Sequence, residues 1–289
     1  MSAVPGRWLV VSVAVPPDDD GLVTEGLLLL GGRAVEEREG RAVTHLPEPP
    51  AGQVSVEALE ARLRALTGLA GLDVRLTWQE QEDWAETWKR GLAPRRITDR
   101  LVVTPSWCEP ERRDGDLVVT VDPGMAFGTA EHGTTRGCLR LMDGTVASGE
   151  RLLDVGAGSA ILAVAAALLG ASEVTAMEGD ALAVPAALEN VERNGVADRV
   201  SVEETWATAE DLPLRGPVDG LMANIESGVL RPLLGAFADT VRPGGWLVLG
   251  GILAGEWEGF AAEAAAAGWT QEAVDADGEW RSGRFRRAG

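Results

Sequence analysis

From residue 151 onward the sequence alternates between short apolar runs and helical segments, and few folds accept that rhythm. Strands are read at 151–155, 173–177, 200–204, 218–223 and 245–250, and helices end at residues 169, 193, 241 and 267. Helices placed between successive strands call for right-handed βαβ crossovers, hence a largely parallel sheet covered on both faces. The runs 269–274 and 280–286, either side of DADGE, close the chain as a hairpin.

The first 79 residues follow another order. A strand at 8–15, a helix at 23–30, two strands within 33–46 around EREGR, a helix carrying Leu59, Leu63 and Leu66, and a strand at 73–78 make a split βαβ. That is a small ferredoxin-like α+β domain. Residues 80–110 are expected to form a connection: a helix with Trp84 and Trp88 on one face, then a strand at 101–104. The larger α/β domain then occupies 111–289, with a short strand at 117–121 leading in.

With 26 Lys and Arg against 45 Asp and Glu, the chain of 289 residues carries a net charge of −19. Such a field disfavours docking on a phosphate backbone and favours basic partners, although it also serves plain solubility. Direct nucleic-acid binding is not expected. Cys108, Cys138, His45 and His132 are scattered without zinc-site spacing, so no metal is expected. The apolar run 161–171 falls well short of the roughly 20 residues that span a bilayer, and the N-terminus reads as a strand rather than a signal peptide. A cytoplasmic monomer is the expectation.

In open parallel sheets ligands bind beyond the carboxyl ends of the strands, where a strand-to-helix turn gathers backbone N–H groups. Asp154-Val155-Gly156-Ala157-Gly158-Ser159 is such a turn, with glycines at 156 and 158 permitting close approach to bare backbone. Asp154 can fix the loop or approach a ligand's ammonium. A dinucleotide loop requires G-x-G-x-x-G, but Ile161 stands at its third glycine. Glu178 ends the next strand, 22 residues after Gly156, where its two oxygens can receive ribose hydroxyls. Asn224, in LMANI at the end of the fourth strand, offers both a donor and an acceptor; its plainer role is a helix N-cap.

The glycine loop resembles the GxGxG of class I methyltransferases, whose sheets also end in an antiparallel pair. Upstream, PGMAFGTAEHGTTRGCLRLM resembles the PGxAFGTGxHxTT of the PrmA family, bacterial methyltransferases of the large-subunit ribosomal protein L11. The resemblance continues through EDWAETWKR, LLDVGAGSAILAVAA, ALENVERNGV, ANI and GIL, over about residues 80–289. It implies an enzyme that methylates amino groups of ribosomal protein L11, lysine side chains or the N-terminal amine, with S-adenosylmethionine as cofactor. The small first domain would grip that basic protein. Carried over, the cofactor contacts are Thr135, Gly156, Glu178 and Asn224, with Phe127, Gly128 and Thr129 in a loop over the cofactor; the reading of the glycine turn adds Asp154 and Gly158. Asn224 is the expected catalytic residue, orienting the incoming amine for in-line attack.

There are four departures from the family: Ala130 replaces a glycine of GTG, Ala160 replaces the last glycine of the cofactor loop, Glu178-Gly179-Asp180 replaces Asp-Ile-Asp, and Glu226 stands where an apolar residue or tyrosine is usual. They leave open a different acceptor, another basic protein or a small amine, or a cofactor-binding module without catalysis. A dehydrogenase is the remaining alternative.

Overall fold

In β1 (Arg7–Ala14) the residues Leu9, Val11 and Val13 alternate with less buried neighbours, the two-residue period of a strand with one covered face. The cover comes from α1 (Leu22–Leu29) and α2 (Val56–Thr67), which contribute Val23 and Leu27, Leu59 and Leu63, each pair four apart on one helical face. Leu66, expected beside them, is exposed. With β2 (Val35–Arg38), β3 (Arg41–Pro47) and β4 (Val74–Glu80) the sheet runs β2-β3-β1-β4, every pair antiparallel. This is the split βαβ arrangement.

These elements belong to the first of two units, Met1–Gly91 and Leu92–Gly289. The computed structural model describes residues 7–16, 22–30, 35–38, 40–47, 56–69, 71–80, 92–122 and 126–289. The expected helix with Trp84 and Trp88, and Pro123 and Gly124 of PGMAFGT, lie outside the described residues.

The second unit opens with a three-stranded sheet of β5 (Arg95–Arg96), β6 (Leu101–Thr104) and β7 (Leu117–Thr120), in which β6 is antiparallel to β5 and parallel to β7. The strand assigned to the connection therefore pairs inside the larger unit, and the break falls at Gly91 rather than after residue 110.

After α3 (Gly133–Asp143) the alternation proceeds through β8 (Arg151–Val155), α4 (Ile161–Leu169), β9 (Glu173–Glu178), α5 (Val184–Arg193), β10 (Val200–Glu204) and β11 (Val218–Asn224). It then continues with α6 (Ser227–Leu230), α7 (Leu234–Thr240), β12 (Val241–Leu253), α8 (Trp257–Ala266), β13 (Trp269–Asp277) and β14 (Trp280–Arg287). The single helix expected up to residue 241 is broken by a 3-10 turn at Arg231–Leu233; its centre is Pro232, which lacks the N–H that a helix interior needs. Sheet order is β10-β9-β8-β11-β12-β14-β13, parallel through β12 and antiparallel at β14. Leu152 and Met222 pack on one face with α4, whereas Leu153, Leu221 and Ala223 pack on the other with α7 and α8. Both faces are thus covered, as near-continuous apolar strands require.

The two sheets of this unit are fastened by side-chain amides. Asn190 accepts from the Asp122 N–H (3.0 Å) and donates to the Asp122 and Ser159 carbonyls (3.0 Å each). Asn194 accepts from the Thr120 N–H (2.8 Å) and donates to its carbonyl (2.7 Å). A helix advances about 6 Å in four residues and a strand about 6.6 Å in two, so two asparagines one turn apart match the open edge of β7.

Candidate active site

The turn after β8 is built on backbone that a side chain would obstruct. Gly156 and Gly158 have φ of 70° and 55°, and a Cβ on Gly158 would lie 2.4 Å from the Phe127 carbonyl oxygen. Ser159 binds the same segment twice, its N–H donating to the Phe127 carbonyl (2.8 Å) and its hydroxyl to the Gly128 carbonyl (2.6 Å). The loop expected over the cofactor is thereby joined to the glycine turn. Ala160 takes the left-handed conformation (φ 61°), the single non-glycine residue to do so among the described residues. That conformation costs an L-residue roughly 1–2 kcal/mol, so the turn keeps its shape without the usual glycine. Ala130 needs no such strain, since its φ is not positive.

Glu178 closes β9 with both oxygens engaged: one accepts the Gly158 N–H (2.7 Å), the other the Asp180 N–H (2.8 Å). Each retains a lone pair for a hydroxyl donor. Asn224, at the end of β11, donates through Nδ2 to the Thr135 hydroxyl (3.2 Å), while its Oδ1 is buried and unpartnered. Gly250 on β12 makes room for that oxygen, because a Cβ there would approach it to 2.7 Å.

Six of the nine expected contacts, Phe127, Gly128, Gly156, Gly158, Glu178 and Asn224, line one cavity of about 710 Å³. The other three stand behind or beside its wall. Thr135 is wholly buried and supports Asn224, so its neighbour Thr134 meets the cavity instead. Asp154 is 1% exposed and accepts the Ala163 N–H (3.0 Å), fixing the first turn of α4 rather than reaching a ligand. Burial pushes its carboxyl up to about 7, against the Ala163 bond and with the help of nearby Glu178. Thr129 accepts the Glu131 N–H (3.3 Å) within its own loop.

The cavity also has walls that sequence reading missed. His132 lies between Phe127 (ring centroids 5.0 Å) and Trp280 (4.8 Å), with Nδ1 2.7 Å from the Thr134 hydroxyl. Burial, and Arg136 after it, hold this imidazole below its ordinary pKa and so favour the neutral ring. Phe127 is 57% exposed, a wall residue and not a core one. Trp206 adds a further aromatic surface. Glu178, Asp180, Glu226 and Glu256 contribute carboxylates, and no lysine or arginine lines the cavity among the described residues. Such a lining suits a cation and repels a pyrophosphate.

The cavity opens at the carboxyl ends of β8, β9 and β11, where the strand order reverses between β8 and β11. Glycine turn, carboxylate and amide from three successive positions on this sheet edge, together with the reversed β14, define a Rossmann-like methyltransferase. A family model, "Ribosomal protein L11 methyltransferase (PrmA)", matches residues 40–288. Similar proteins include the ribosomal protein L11 methyltransferases of Symbiobacterium thermophilum, 40% identical over 87% of this chain and 76% of that protein, and of Streptococcus pneumoniae strain Hungary19A-6, 33% identical over 97% and 96%. A crystal structure of a ribosomal protein L11 methylase from Lactobacillus delbrueckii subsp. bulgaricus superposes with a TM-score of 0.61 at 26% identity, covering 68% of this chain and all of that one. The chain belongs to the ribosomal protein L11 methyltransferase family, and it is a methyltransferase.

Proposed function

We propose that the enzyme transfers methyl groups from S-adenosylmethionine to amino groups of ribosomal protein L11, lysine side chains or the N-terminal amine. The observation that carries the reading is the lining of the cavity: four carboxylates and, among the described residues, no lysine or arginine, with Asn224 on the same wall. A sulfonium cofactor and an amine acceptor are both cationic, and the cavity suits both. When bound, the cofactor supplies a methyl group on a positively charged sulfur, open to direct attack by nitrogen.

The chain's own residues do the rest. Gly156 and Gly158 give the cofactor a bare backbone bed, and Glu178 holds the ribose hydroxyls with its remaining lone pairs. Thr135 fixes the Asn224 amide on the cavity wall, from which Asn224 orients the incoming amine for in-line attack. A lysine near pKa 10.4 arrives protonated. Glu226, exposed on the cavity wall and with no side-chain partner among the described residues, attracts that ammonium before the proton passes to water. Phe127, His132 and Trp280 keep water from the reacting nitrogen. Residues 1–91 supply acceptor recognition in this reading.

Mass spectrometry of purified ribosomal protein L11 after incubation with enzyme and cofactor tests the proposal. Mass gains in whole methyl steps are expected, and Asn224→Ala should lower turnover roughly a hundredfold while cofactor affinity changes little. An unmodified L11, from an enzyme that labels another protein of a lysate, would move the activity to a different acceptor.

A further inference from the structure

Trp206 is 72% exposed, although exposing an indole to water is unfavourable, and it lies on the cavity wall. Its place is fixed by its neighbours. Strand β10 ends with Glu204 opposite Glu178, and the next N–H, of Thr205, donates to the Glu178 carbonyl (2.8 Å). Residue 206 therefore emerges beside Glu178-Gly179-Asp180. A Cβ on Gly179 would lie 2.2 Å from Trp206 Cδ2 and 2.5 Å from Cε2 and Cε3. Three adjacent ring atoms at nearly one distance mean that the indole rests by its face on the bare backbone of residue 179. Only glycine allows this, and the isoleucine of Asp-Ile-Asp would collide with the ring. Bulk absent at 179 is present at 206.

We infer that Trp206 is the stacking platform for the purine base of the cofactor, an inference that rests on the reading of S-adenosylmethionine as the ligand. One indole face is occupied by Gly179, and the high exposure leaves the other open, next to the carboxylate assigned to the ribose. A planar base attached to that ribose is the part of the cofactor that can cover an aromatic face. Ala183 and Ala207, small residues on the same wall, leave space for it.

Calorimetry and tryptophan emission on the full chain, with S-adenosylhomocysteine and with adenosine, test this. Trp206→Ala should weaken both ligands by the same factor, about tenfold, because both carry the base. Trp206→Phe should recover most of the affinity, and the emission change that S-adenosylhomocysteine produces in the unaltered enzyme should be largely lost in that variant. Equal affinity in Trp206→Ala, or an undiminished emission change in Trp206→Phe, would overturn the role of Trp206. An unaltered enzyme that binds no S-adenosylhomocysteine would instead overturn the cofactor reading, and the platform with it.

Discussion

Asp154 shows how a residue can belong to a binding loop without touching the ligand. Its carboxyl is buried with one oxygen unpartnered, and burial raises its pKa to about 7 from the 3.8 of a free aspartate. Below about pH 4 the folded and unfolded chains both hold the proton; between about 4 and about 7 only the folded chain does. Stability therefore falls as pH rises through that window, and the loss is complete above it. Asp154→Asn should flatten this part of the profile, a difference on the order of a few kcal/mol. Melting temperatures of the two proteins from pH 4 to pH 8 check it, and parallel curves would remove Asp154 as the source. At this scale the glycine positions were legible, since a glycine pattern reports directly on backbone. Thr135 was legible only as a neighbourhood, because sequence does not say which of two adjacent threonines faces a cavity. Trp206 and Trp280 were not legible, as their use depends on strands brought in from far along the chain.

Among elements, the start of α3, the loop before it and the tip of the β13–β14 hairpin behave as one piece. Arg136 donates to the Ala130 and Glu131 carbonyls (3.0 and 2.6 Å) and, through Nε and Nη2, to the Asp277 carboxylate (2.8 and 2.7 Å). Arg140 joins Asp275 (both contacts 2.7 Å) and Asp277 (2.9 Å) in the same network. The arginines hold the Asp277 carboxyl far below the usual carboxylate range. Beyond Asp277 the chain turns to Trp280, which packs on His132, so the network sets the aromatic wall. Arg136→Lys keeps the charge but loses the planar fork, and should cost about 2 kcal/mol of stability and raise the Michaelis constant for the cofactor. Denaturant titration and steady-state kinetics read the two effects; if neither changed, the network would have no part in shaping the wall. Sequence periodicity revealed the hairpin of this region, whereas the helix α3 was not read from it. It could not reveal Arg136 as the joint, whose partner lies 141 residues away.

For the whole molecule, the charge of −19 gains meaning from where some of it sits. Carboxylates line the cavity in an already acidic protein, so a basic acceptor meets one sign of field from encounter to site. Raising salt from about 0.05 to about 0.5 M should increase the Michaelis constant for a basic protein acceptor several-fold and affect that for the cofactor much less, because Debye screening acts chiefly on the long-range part. Initial rates across that range decide it, and a flat acceptor profile would reduce the charge to a solubility device. The division into a small α+β unit and a larger α/β unit could be read from element order. The position of the break could not, because the strand at 101–104 shows its allegiance only through its pairing with β7.

That pairing leaves β7 at the margin of a short sheet, with donors and acceptors facing outward. An uncovered margin is a template on which a second chain can add a strand, the first step of aggregation. Asn190 and Asn194 occupy the outward groups of Thr120 and Asp122, so a helix of the larger sheet ends the smaller one. The two asparagines thus leave those backbone groups no longer free to pair with an added strand.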